Sequence, residues 1–542
     1  MATMRLTVVC LFVFSMAPGC WAQVLYGSLV GNVKDASDAA IPNAAVTVKE
    51  METGLSRETR SGEAGQYLFP TLPGGRYEIA VTKSGFSTFR TKDVSVSANA
   101  TTRVDSVLQV GAVTESVQVE AAPPALQTDR AEVRREIGAR QLVNAPLPPG
   151  RNYTQMFKVL PGFTYPKNGN GPSVDPSRAA LYNVNGTSRS SNAVRLDGAG
   201  VNQIWLPHLP GYTPALESIE TVNVTTNSFD AETGLAGGAA INVQVKSGGN
   251  DLHGSLFEYH NSNATKAKPF FLPAGERKPK AIFNQMGGTV GGPIVRNKLF
   301  FFGSYEGTFD RQFATRLDTV PTSAIRAGDM AASPTLIYDP STGAANGSGR
   351  MAFPNQRIPA ARMDPIALKL QNMLPQPTFP AALAANLFSQ GAYKFNSHKM
   401  DAKINWNPGM KLTIFARGGI QDHAFESGPI LGELIGAPFY SPASVAGPTY
   451  GTTGNMAVGA TYVLSPNFIL DGNFGYTAYD ANSEELGLGK NIGLDTLGIP
   501  GTNGTRRFES GWPRFTVSNY ATMGAQGGSA RPFFNQIGRA HV

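Results

Sequence analysis

The sequence predicts a mainly β protein: an N-terminal β-sandwich, an α+β domain and the first strands of a transmembrane β-barrel. Its 542 residues include 60 glycines and 38 prolines but only 16% charged residues, which favours strands and tight turns over long helices. Segments after residue 250 alternate apolar and polar side chains, and the connections between them are alternately long and short. Both features are typical of strands that cross a membrane as a barrel.

The first 22 residues indicate a signal peptide. One positive charge precedes an almost wholly apolar run from Leu6 to Ala17, which is too short to span a bilayer. Small residues stand at both positions that determine cleavage before Gln23; a lipoprotein acylated on Cys20 is the alternative. Cys10 and Cys20 are the only cysteines, so the exported chain must be stabilised by burial and backbone pairing instead of disulfides.

The formal net charge of +7 raises the question of nucleic acid binding. Lysines and arginines are scattered, with isolated pairs such as Arg277-Lys278 and no dense run. Basic loops facing an anionic membrane surface explain this distribution better than a nucleic acid site does. We therefore expect no nucleic acid partner.

The sequence offers no pattern for catalysis. It contains neither a G-x-S-x-G elbow nor a P-loop. The H-x-x-E pattern from His423 to Glu426 falls in an expected loop, and no histidine near it completes a zinc site. We expect a protein that is not an enzyme and has no metal or cofactor.

Residues 23–110 alternate short β segments with glycine and proline turns, which predicts a small antiparallel sandwich. Strands are expected at residues 28–33, 44–48, 66–69 and 77–81. The motifs G-x-V-x-D, I-P-N-A-x-V-x-V, G-x-Y-x-F, L-P-G-G-x-Y and K-x-G-F resemble those of the carboxypeptidase regulatory-like (transthyretin-like) domain. That resemblance implies an accessory β-sandwich without peptidase activity.

Residues 111–126 form a predicted linker. Its polar–apolar alternation before Pro123-Pro124 suits an ordinary terminal strand or an extended peptide that pairs with a partner's sheet edge. It resembles a TonB box, the segment through which TonB pulls on the plug of an outer-membrane receptor. Gln118 and Glu120 depart from the valine- and threonine-rich boxes common in that family. The candidate box comprises Thr114, Glu115, Ser116, Val117, Gln118 and Val119.

Residues 127–250 change in character, with a short amphipathic helix expected at residues 131–143. The motifs R-N-Y, L-P-G, V-N-G, L-D-G and S-I-E-x-V-x-V then precede a glycine-rich stretch that ends in I-N-V-x-V-K-S-G. This order resembles the α+β plug domain of TonB-dependent receptors; an unrelated α/β domain is the alternative. Glycines suit a plug because its backbone must turn tightly and approach the barrel closely.

Residues 251–536 carry the strands of the predicted partial barrel. The block N-Q-x-G-G-x-x-G-G-P-I, followed by K-L-F-F-F-x-S-Y-E-G, resembles the start of the barrel in Oar-like TonB-dependent receptors. About seven strands are expected, with extracellular loops on one side and periplasmic turns on the other. The expected loops span residues 261–280, 308–394 and 421–450, and the expected turns span residues 296–297, 407–409 and 465–467.

The faces of these strands are predicted from their alternation. In the strand at residues 396–406, Met400 and Ile404 share one face, while Lys399, Asp401 and Lys403 share the other. The strands of a soluble sandwich would also alternate polar and apolar residues. The regular alternation of long loops with short turns is what favours the barrel.

An odd number of strands leaves an open edge, which is costly in lipid. A plug of about 120 residues needs a lumen of roughly 22 strands, so about fifteen strands are expected to be missing from an incomplete barrel. Residues 537–542 break the pattern and are expected to be a non-native tail.

The resemblance to Oar-like receptors implies an outer-membrane protein of a Gram-negative bacterium, with plug and N-terminal domain on the periplasmic side. It implies that extracellular loops bind a ligand (a glycan, a siderophore or a peptide) and that TonB moves the plug to import it. Outer-membrane lipid and lipopolysaccharide are the other expected partners. An adhesion or export scaffold without energised import is the alternative. A third class, a secreted carbohydrate-binding sandwich, requires the strands after Asp251 to be soluble.

Overall fold

The computed structural model describes residues 26–97, 100–111, 116–119, 132–166, 179, 181–204, 206–227, 236–270, 272–432, 447–465, 468–524 and 531–541. The expected signal peptide at residues 1–22 lies outside this part of the chain, as do Thr114 and Glu115 of the candidate box. Across the described residues, every helix is too short or too polar to cross a membrane.

The N-terminal domain is a sandwich of two sheets. One sheet has the strand order β4-β1-β7, with β8 also paired to β1, and the other has the order β3-β2-β5-β6-β9. Alternate residues of the strands, such as Leu29, Val46 and Ile79, are fully buried in the core between the sheets. The strands are β1 (Gly27–Asp35), β2 (Ala45–Glu50), β3 (Ser56–Arg60), β4 (Gln66–Leu72), β5 (Gly75–Thr82), β6 (Thr88–Val96), β7 (Thr101–Arg103), β8 (Ser106–Leu108) and β9 (Ser116–Val119).

The expectation of a wholly antiparallel sandwich is wrong. Strand β1 is antiparallel to β4 but parallel to β7 and β8, and β6 is parallel to β9. Parallel neighbours need a crossover connection. The chain supplies one in each case, because strands of the opposite sheet lie between the two partners in sequence.

The second unit, which we call the central domain, spans the described residues between 132 and 250. Its main sheet has the order β10-β15-β16-β13-β14, and β11 pairs with β12 beside it. Leu142, Phe157 and Tyr212 are among the fully buried side chains of its core. The elements are β10 (Val133–Gly138), α1 (Ala139–Asn144), β11 (Phe163–Thr164), β12 (Asn183–Val184), β13 (Ala193–Leu196), β14 (Ala199–Gly200), β15 (Ile219–Asn227) and β16 (Ala240–Val245), with 3-10 turns at Tyr153–Val159, Arg189–Ser191 and Leu216–Ser218.

The helix expected at residues 131–143 is wrong over its first half. Residues Val133–Gly138 form β10, which pairs antiparallel with β15, and the helix occupies only Ala139–Asn144. In so short a segment, strand and helix periodicities are hard to tell apart. Residues 133–138 therefore form a strand because β15 provides backbone hydrogen-bond partners for them.

The third unit is one antiparallel sheet of eight strands, which follow one another in chain order. Among the described residues the sheet is open, because β17 and β24 each pair with a single neighbour. Its strands are β17 (His253–Ser262), β18 (Ala281–Val295), β19 (Leu299–Asp318), β20 (Leu387–Gly409), β21 (Leu412–Ser427), β22 (Gly447–Ser465), β23 (Phe468–Ser483) and β24 (Arg531–His541).

The sheet corrects the expected count of seven strands and the extent of the loops. Strand β24 is the additional strand, and it includes residues 537–541, which were expected to break the pattern. The loop expected at residues 308–394 spans only 319–386, because β19 and β20 stay paired as far as Asp318 and Leu387. The alternation of long loops with tight turns is as expected.

The long loops pack against one another at one end of the sheet. Leu370, Ile430, Leu431 and Leu497, from three different loops, are buried in a shared apolar core that we call the loop cluster. The loop at residues 319–386 contains α2 (Ser323–Arg326) and α3 (Pro365–Met373), with further turns at Pro354–Gln356, Ala360–Arg362, Ile492–Thr496 and Arg507–Glu509 in this region.

The N-terminal sandwich lies at the opposite end, beside the tight turns. The backbone N–H of Asn250 donates to the carbonyl of Glu52 at 2.8 Å, and the N–H of Asn297 donates to Asn250 Oδ1 at 2.7 Å. Asn297 lies in the turn between β18 and β19. The sandwich, the end of the central domain and the turn end of the sheet therefore meet at one place.

Candidate functional site at the interface between the central domain and the sheet

The long strands of the sheet bury polar side chains and expose apolar ones, which is the reverse of the arrangement in a soluble protein. On β20, Lys399, Asp401 and Lys403 are buried, whereas Met400 and Ile404 are 53% and 46% exposed. Strands β21 to β23 repeat the pattern: Arg417, Gln421, Asn455 and Thr477 are buried, while Ile420, Met456, Leu470 and Phe474 are exposed. Charges are rarely buried without partners. The arrangement is favourable when the apolar face meets lipid and the polar face meets protein.

A tight turn of the central domain reaches this polar face. Asp197 and Gly198 connect β13 to β14 with φ angles of 44° and 80°. Two central residues with positive φ define a type I′ turn, for which Asp-Gly is a favoured sequence. The L-D-G motif therefore forms a hairpin turn that carries a carboxylate towards the sheet.

Asp197 pairs with two cations of the sheet. Its Oδ1 lies 3.0 Å from Lys403 Nζ, and its Oδ2 lies 3.6 Å from Arg417 Nε. Lys403 also donates to the carbonyl of Val245 at 2.8 Å, at the end of β16. The Arg417 side chain is fully buried. Burial makes each of these charges depend on its partners, because an unpaired buried charge is strongly unfavourable.

Asp401 links the same arginine to the central domain. Its Oδ1 lies 3.4 Å from Arg417 Nη1 and accepts a hydrogen bond from the Tyr212 hydroxyl at 2.9 Å. Its Oδ2 accepts from the backbone N–H of Ala215 and the hydroxyl of Ser218, both at 3.3 Å. Burial, together with the Asp401 charge, raises the pKa of Tyr212 well above its usual value. Tyr212 therefore stays a hydrogen-bond donor. We call Asp197, Tyr212, Asp401, Lys403 and Arg417 the interface network.

A second buried contact ties the central domain to the first strand of the sheet. Arg151 Nη1 lies 3.2 Å from Glu217 Oε1, and both side chains are buried within the central domain. The guanidinium lies 3.5 Å from the centre of the Tyr259 ring on β17, and the Tyr259 hydroxyl donates to Glu217 at 3.3 Å. The R-N-Y motif thus supplies a cation that a sheet aromatic covers.

Close backbone approach completes the interface. A Cβ atom at Gly475 on β23 would lie 2.5 Å from Ala199 Cβ on β14, so only glycine fits. Nearby, the Thr477 hydroxyl donates to the carbonyl of Gly200 at 2.9 Å. The central domain therefore contacts the middle of the sheet mainly through polar and small residues, with Phe302 and Phe415 of the sheet also buried against it.

The candidate box lies away from this network. Ser116, Val117, Gln118 and Val119 form β9, which pairs in parallel with residues Thr88–Thr91 of β6 in the N-terminal sandwich. For the four residues of the box that the structure describes, the pairing is with the N-terminal sandwich and not with the central domain.

The H-x-x-E pattern corrects one expectation. His423 and Glu426 lie on strand β21 and not in a loop. Residues three apart on a strand point to opposite faces: His423 is buried, whereas Glu426 is exposed and pairs with Lys394 at 2.8 Å. Among the described residues, no group of three histidines, cysteines, aspartates or glutamates is arranged to hold a metal ion.

Sequence reasoning missed most of the interface network. The sequence predicts the shared face of Lys399, Asp401 and Lys403, but it does not predict that Asp401 contacts Tyr212 and Arg417 or that Lys403 contacts Asp197. One signal was present: three ionisable residues on one face of a membrane strand require buried partners. The L-D-G motif contains one of the matching charges, Asp197.

Comparison with known families is consistent with this geometry. Residues 244–538 match the family described as the outer membrane beta barrel domain, and residues 28–109 match the carboxypeptidase regulatory-like domain. The first match covers more than half of the chain, and the chain belongs to this family of outer-membrane barrel proteins. The resemblances to a carboxypeptidase regulatory-like domain and to an outer-membrane barrel are confirmed, and the protein is located in the outer membrane.

The TonB-dependent transporter Oar of Myxococcus xanthus is 26% identical to this chain over 323 residues. The aligned region covers 54% of this chain but 29% of that protein, so the chain spans less than a third of its relative. The protein is a homologue of Oar-type TonB-dependent transporters.

Two solved receptor structures are also similar. The ferric enterobactin receptor of Pseudomonas aeruginosa matches with a TM-score of 0.37 and 14% identity, covering 66% of this chain and 41% of that chain. A siderophore receptor of Acinetobacter baumannii matches with a TM-score of 0.31 and 11% identity, covering 65% of this chain and 45% of that chain.

Proposed function

We propose that this protein is a TonB-dependent receptor that binds an extracellular ligand and imports it when TonB displaces the central domain. In this proposal the central domain is the plug, and the eight-stranded sheet is part of the barrel wall around it. The interface network carries the proposal, because it joins the two through charges and hydrogen bonds between residues far apart in sequence.

The character of the interface suits a movable plug. Lys403, Arg417 and Asp401 contact the central domain through polar atoms, and water can replace such contacts when the domain moves. An interface of large apolar side chains would instead expose its whole surface to water on opening. An interface made mainly of polar contacts is therefore compatible with a plug that leaves and returns.

The orientation follows from the two ends of the sheet. Membrane barrels have short turns on the periplasmic side and long loops outside. The N-terminal sandwich contacts the turn end through Asn250 and Asn297, which is consistent with a periplasmic position. The loop cluster at the other end would then face the medium, lipopolysaccharide and the ligand. A glycan, a siderophore and a peptide all remain possible ligands.

The experiment measures TonB-dependent movement without a known ligand. Thr477→Cys places a cysteine on the sheet face that the central domain covers, since Thr477 is 1% exposed. Whole cells producing the entire protein are treated with a membrane-impermeant maleimide dye. We expect labelling in cells with energised TonB and much less in a strain lacking TonB.

Met351→Cys is the matched control, because Met351 is 66% exposed on the loop at residues 319–386 and labels in both strains. Equal labelling of Thr477→Cys in the two strains would contradict energised import. That result would favour the alternative, an adhesion or export scaffold with the same fold.

A further inference from the structure

Two parts of the N-terminal sandwich contact the central domain directly. In the turn between β4 and β5, a Cβ atom at Gly74 would lie 2.7 Å from Gln244 Oε1 on β16, so this turn approaches as closely as glycine allows. After β6, the buried Ser97 hydroxyl donates to Glu136 Oε2 on β10 at 2.6 Å. The sandwich is therefore docked against β10 and β16, the two strands that flank β15 in the central sheet.

The segment that follows β16 lies between the sandwich and the turn end of the sheet. A Cβ atom at Gly249 would lie 3.2 Å from Glu52 Cβ, in the turn between β2 and β3. At the preceding residue, a Cβ atom at Gly248 would collide with the carbonyl oxygens of Gly292 on β18 and Phe301 on β19. Glycine permits this close approach of backbones. The sandwich is thus seated on the sheet as well as on the central domain.

A cavity of about 330 Å³ lies where the three units meet. Its walls include Asp197 and Lys403 of the interface network, and Glu50 and Arg76 on the side of the sandwich. The sandwich therefore forms the floor of the space directly below the interface network. A ligand that passed the central domain towards the turn end would meet the sandwich next.

The docking is of a kind that can be reversed. In the described part of the chain, the buried apolar residues of the sandwich and those of the central domain form two separate cores. The contacts between the two domains named above are a hydrogen bond and close approaches at glycines. Domains that share no large apolar interface usually move relative to one another.

We propose that the N-terminal sandwich is a gate at the turn end of the barrel, which holds the central domain in place while it is docked. Movement of the central domain towards the turn end would drive β10 and β16 into the sandwich. The sandwich must therefore undock before or together with that movement. This inference rests on the proposed function and adds a second moving part to it.

A disulfide that locks the sandwich in place tests the gate. The 3.2 Å between Glu52 Cβ and a Cβ atom at Gly249 is close to the separation of about 3.5–4.5 Å that a disulfide needs. The native cysteines, Cys10 and Cys20, both fall in the expected signal peptide. The double variant E52C/G249C of the entire protein therefore joins the sandwich to the segment seated on the sheet.

The measurement is the TonB-dependent labelling of Thr477→Cys by the impermeant maleimide dye, repeated with the lock present. Cysteines joined in a disulfide do not react with the dye, so residue 477 alone reports. In cells with energised TonB, we expect the lock to reduce labelling to the level of the strain lacking TonB. Prior reduction should restore labelling at residue 477, quantified on its peptide after proteolysis.

The disulfide A80C/R90C is the matched control, since Ala80 and Arg90 are paired between β5 and β6 within the sandwich. It should leave the labelling of Thr477→Cys unchanged. Full TonB-dependent labelling of the locked protein would overturn the gate, and failure of the E52C/G249C disulfide to form would overturn the docked position. Absence of TonB-dependent labelling in Thr477→Cys alone would instead contradict the proposed function.

A variant that forces the sandwich away gives a second test in the purified whole protein. Gly74→Trp should undock the sandwich, because its side chain would collide with Gln244. Thr413→Cys is the reporter, since Thr413 is 5% exposed and lines the cavity. The dye should label Thr413→Cys faster in the Gly74→Trp background than in the control Leu68→Trp, whose site on the sandwich is 53% exposed. Equal rates in the two backgrounds would count against the sandwich as a cover of the cavity.

Discussion

Lys403 and Asp197 form a buried ion pair across 206 residues of sequence, with Lys403 Nζ 3.0 Å from Asp197 Oδ1. Lys403 lies on the inward face of β20, and Asp197 lies in the turn between β13 and β14. The central domain is therefore held by a charge in a two-residue turn, and this contact can be tested on its own.

Lys403→Met should destabilise the protein by about 3 kcal/mol, because removing one partner leaves a buried carboxylate short of a cation. Asp197 keeps Arg417, which places the effect at the lower end of the usual range. Thermal unfolding of the whole protein in detergent measures the change. Lys394→Met is the control on the same strand: its pair with Glu426 is about half exposed and should contribute less than about 1 kcal/mol. Equal shifts for the two variants would count against the buried pair.

Gly198→Ala should destabilise the protein by about 1 kcal/mol, since Gly198 has a φ of 80° that alanine adopts only with strain. Gly200→Ala offers a nearby comparison, because a Cβ there meets no atom within 4 Å. Its effect should stay within about 0.5 kcal/mol. Chemical denaturation of both variants measures the difference, and indistinguishable stabilities would rule out a strained turn.

Met456→Arg should weaken folding into lipid vesicles by about 2–4 kcal/mol, because Met456 lies near the middle of β22 on the exposed apolar face. Leu68→Arg on the sandwich is the control: Leu68 is 53% exposed to water and should tolerate the charge within about 0.5 kcal/mol. If Met456→Arg were tolerated equally well, the outer face of the sheet would be a water-exposed surface.

Glu485 predicts a pH dependence of the loops. It is 5% exposed, and burial raises the pKa of its carboxyl to about 7. Because the folded loop holds this proton more tightly than the unfolded loop does, its stability is greatest below the usual glutamate pKa and is lost as the pH rises towards about 7. Hydrogen exchange of residues 484–524, corrected for intrinsic rates, should therefore accelerate over this range. Glu485→Gln should abolish the change and Glu484→Gln should not; an unaltered profile in Glu485→Gln would refute the assignment.

The strands, and the alternation of long loops with tight turns between them, could be predicted from the sequence. Both depend on local signals, namely a two-residue period of apolar side chains and the presence of turn residues. Their lengths could not: Phe309 to Asp318 alternates poorly, and it is a strand because β20 offers it paired hydrogen bonds. The same reason explains β10: its sequence also fits a helix, but it forms a strand because it pairs with β15.

The interface network was predictable only in part. The shared face of Asp401 and Lys403 follows from the sequence, and so does their need for partners. Which residues contact Asp401 and Lys403 depends on the position of the Asp197-Gly198 turn relative to the sheet. Asp197-Gly198 could have been recognised as a hairpin turn, but its direction is set by the tertiary fold.

The alternation on β20 has a consequence for biogenesis. As an unfolded segment, this stretch places Lys399, Asp401 and Lys403 between its apolar residues and is too polar to be retained by lipid. Pairing with β19 and β21 sorts the two kinds of side chain onto opposite faces and creates the lipophilic surface. Affinity for a bilayer is thus acquired on folding, so the secreted chain can traverse the inner membrane before it settles in the outer one.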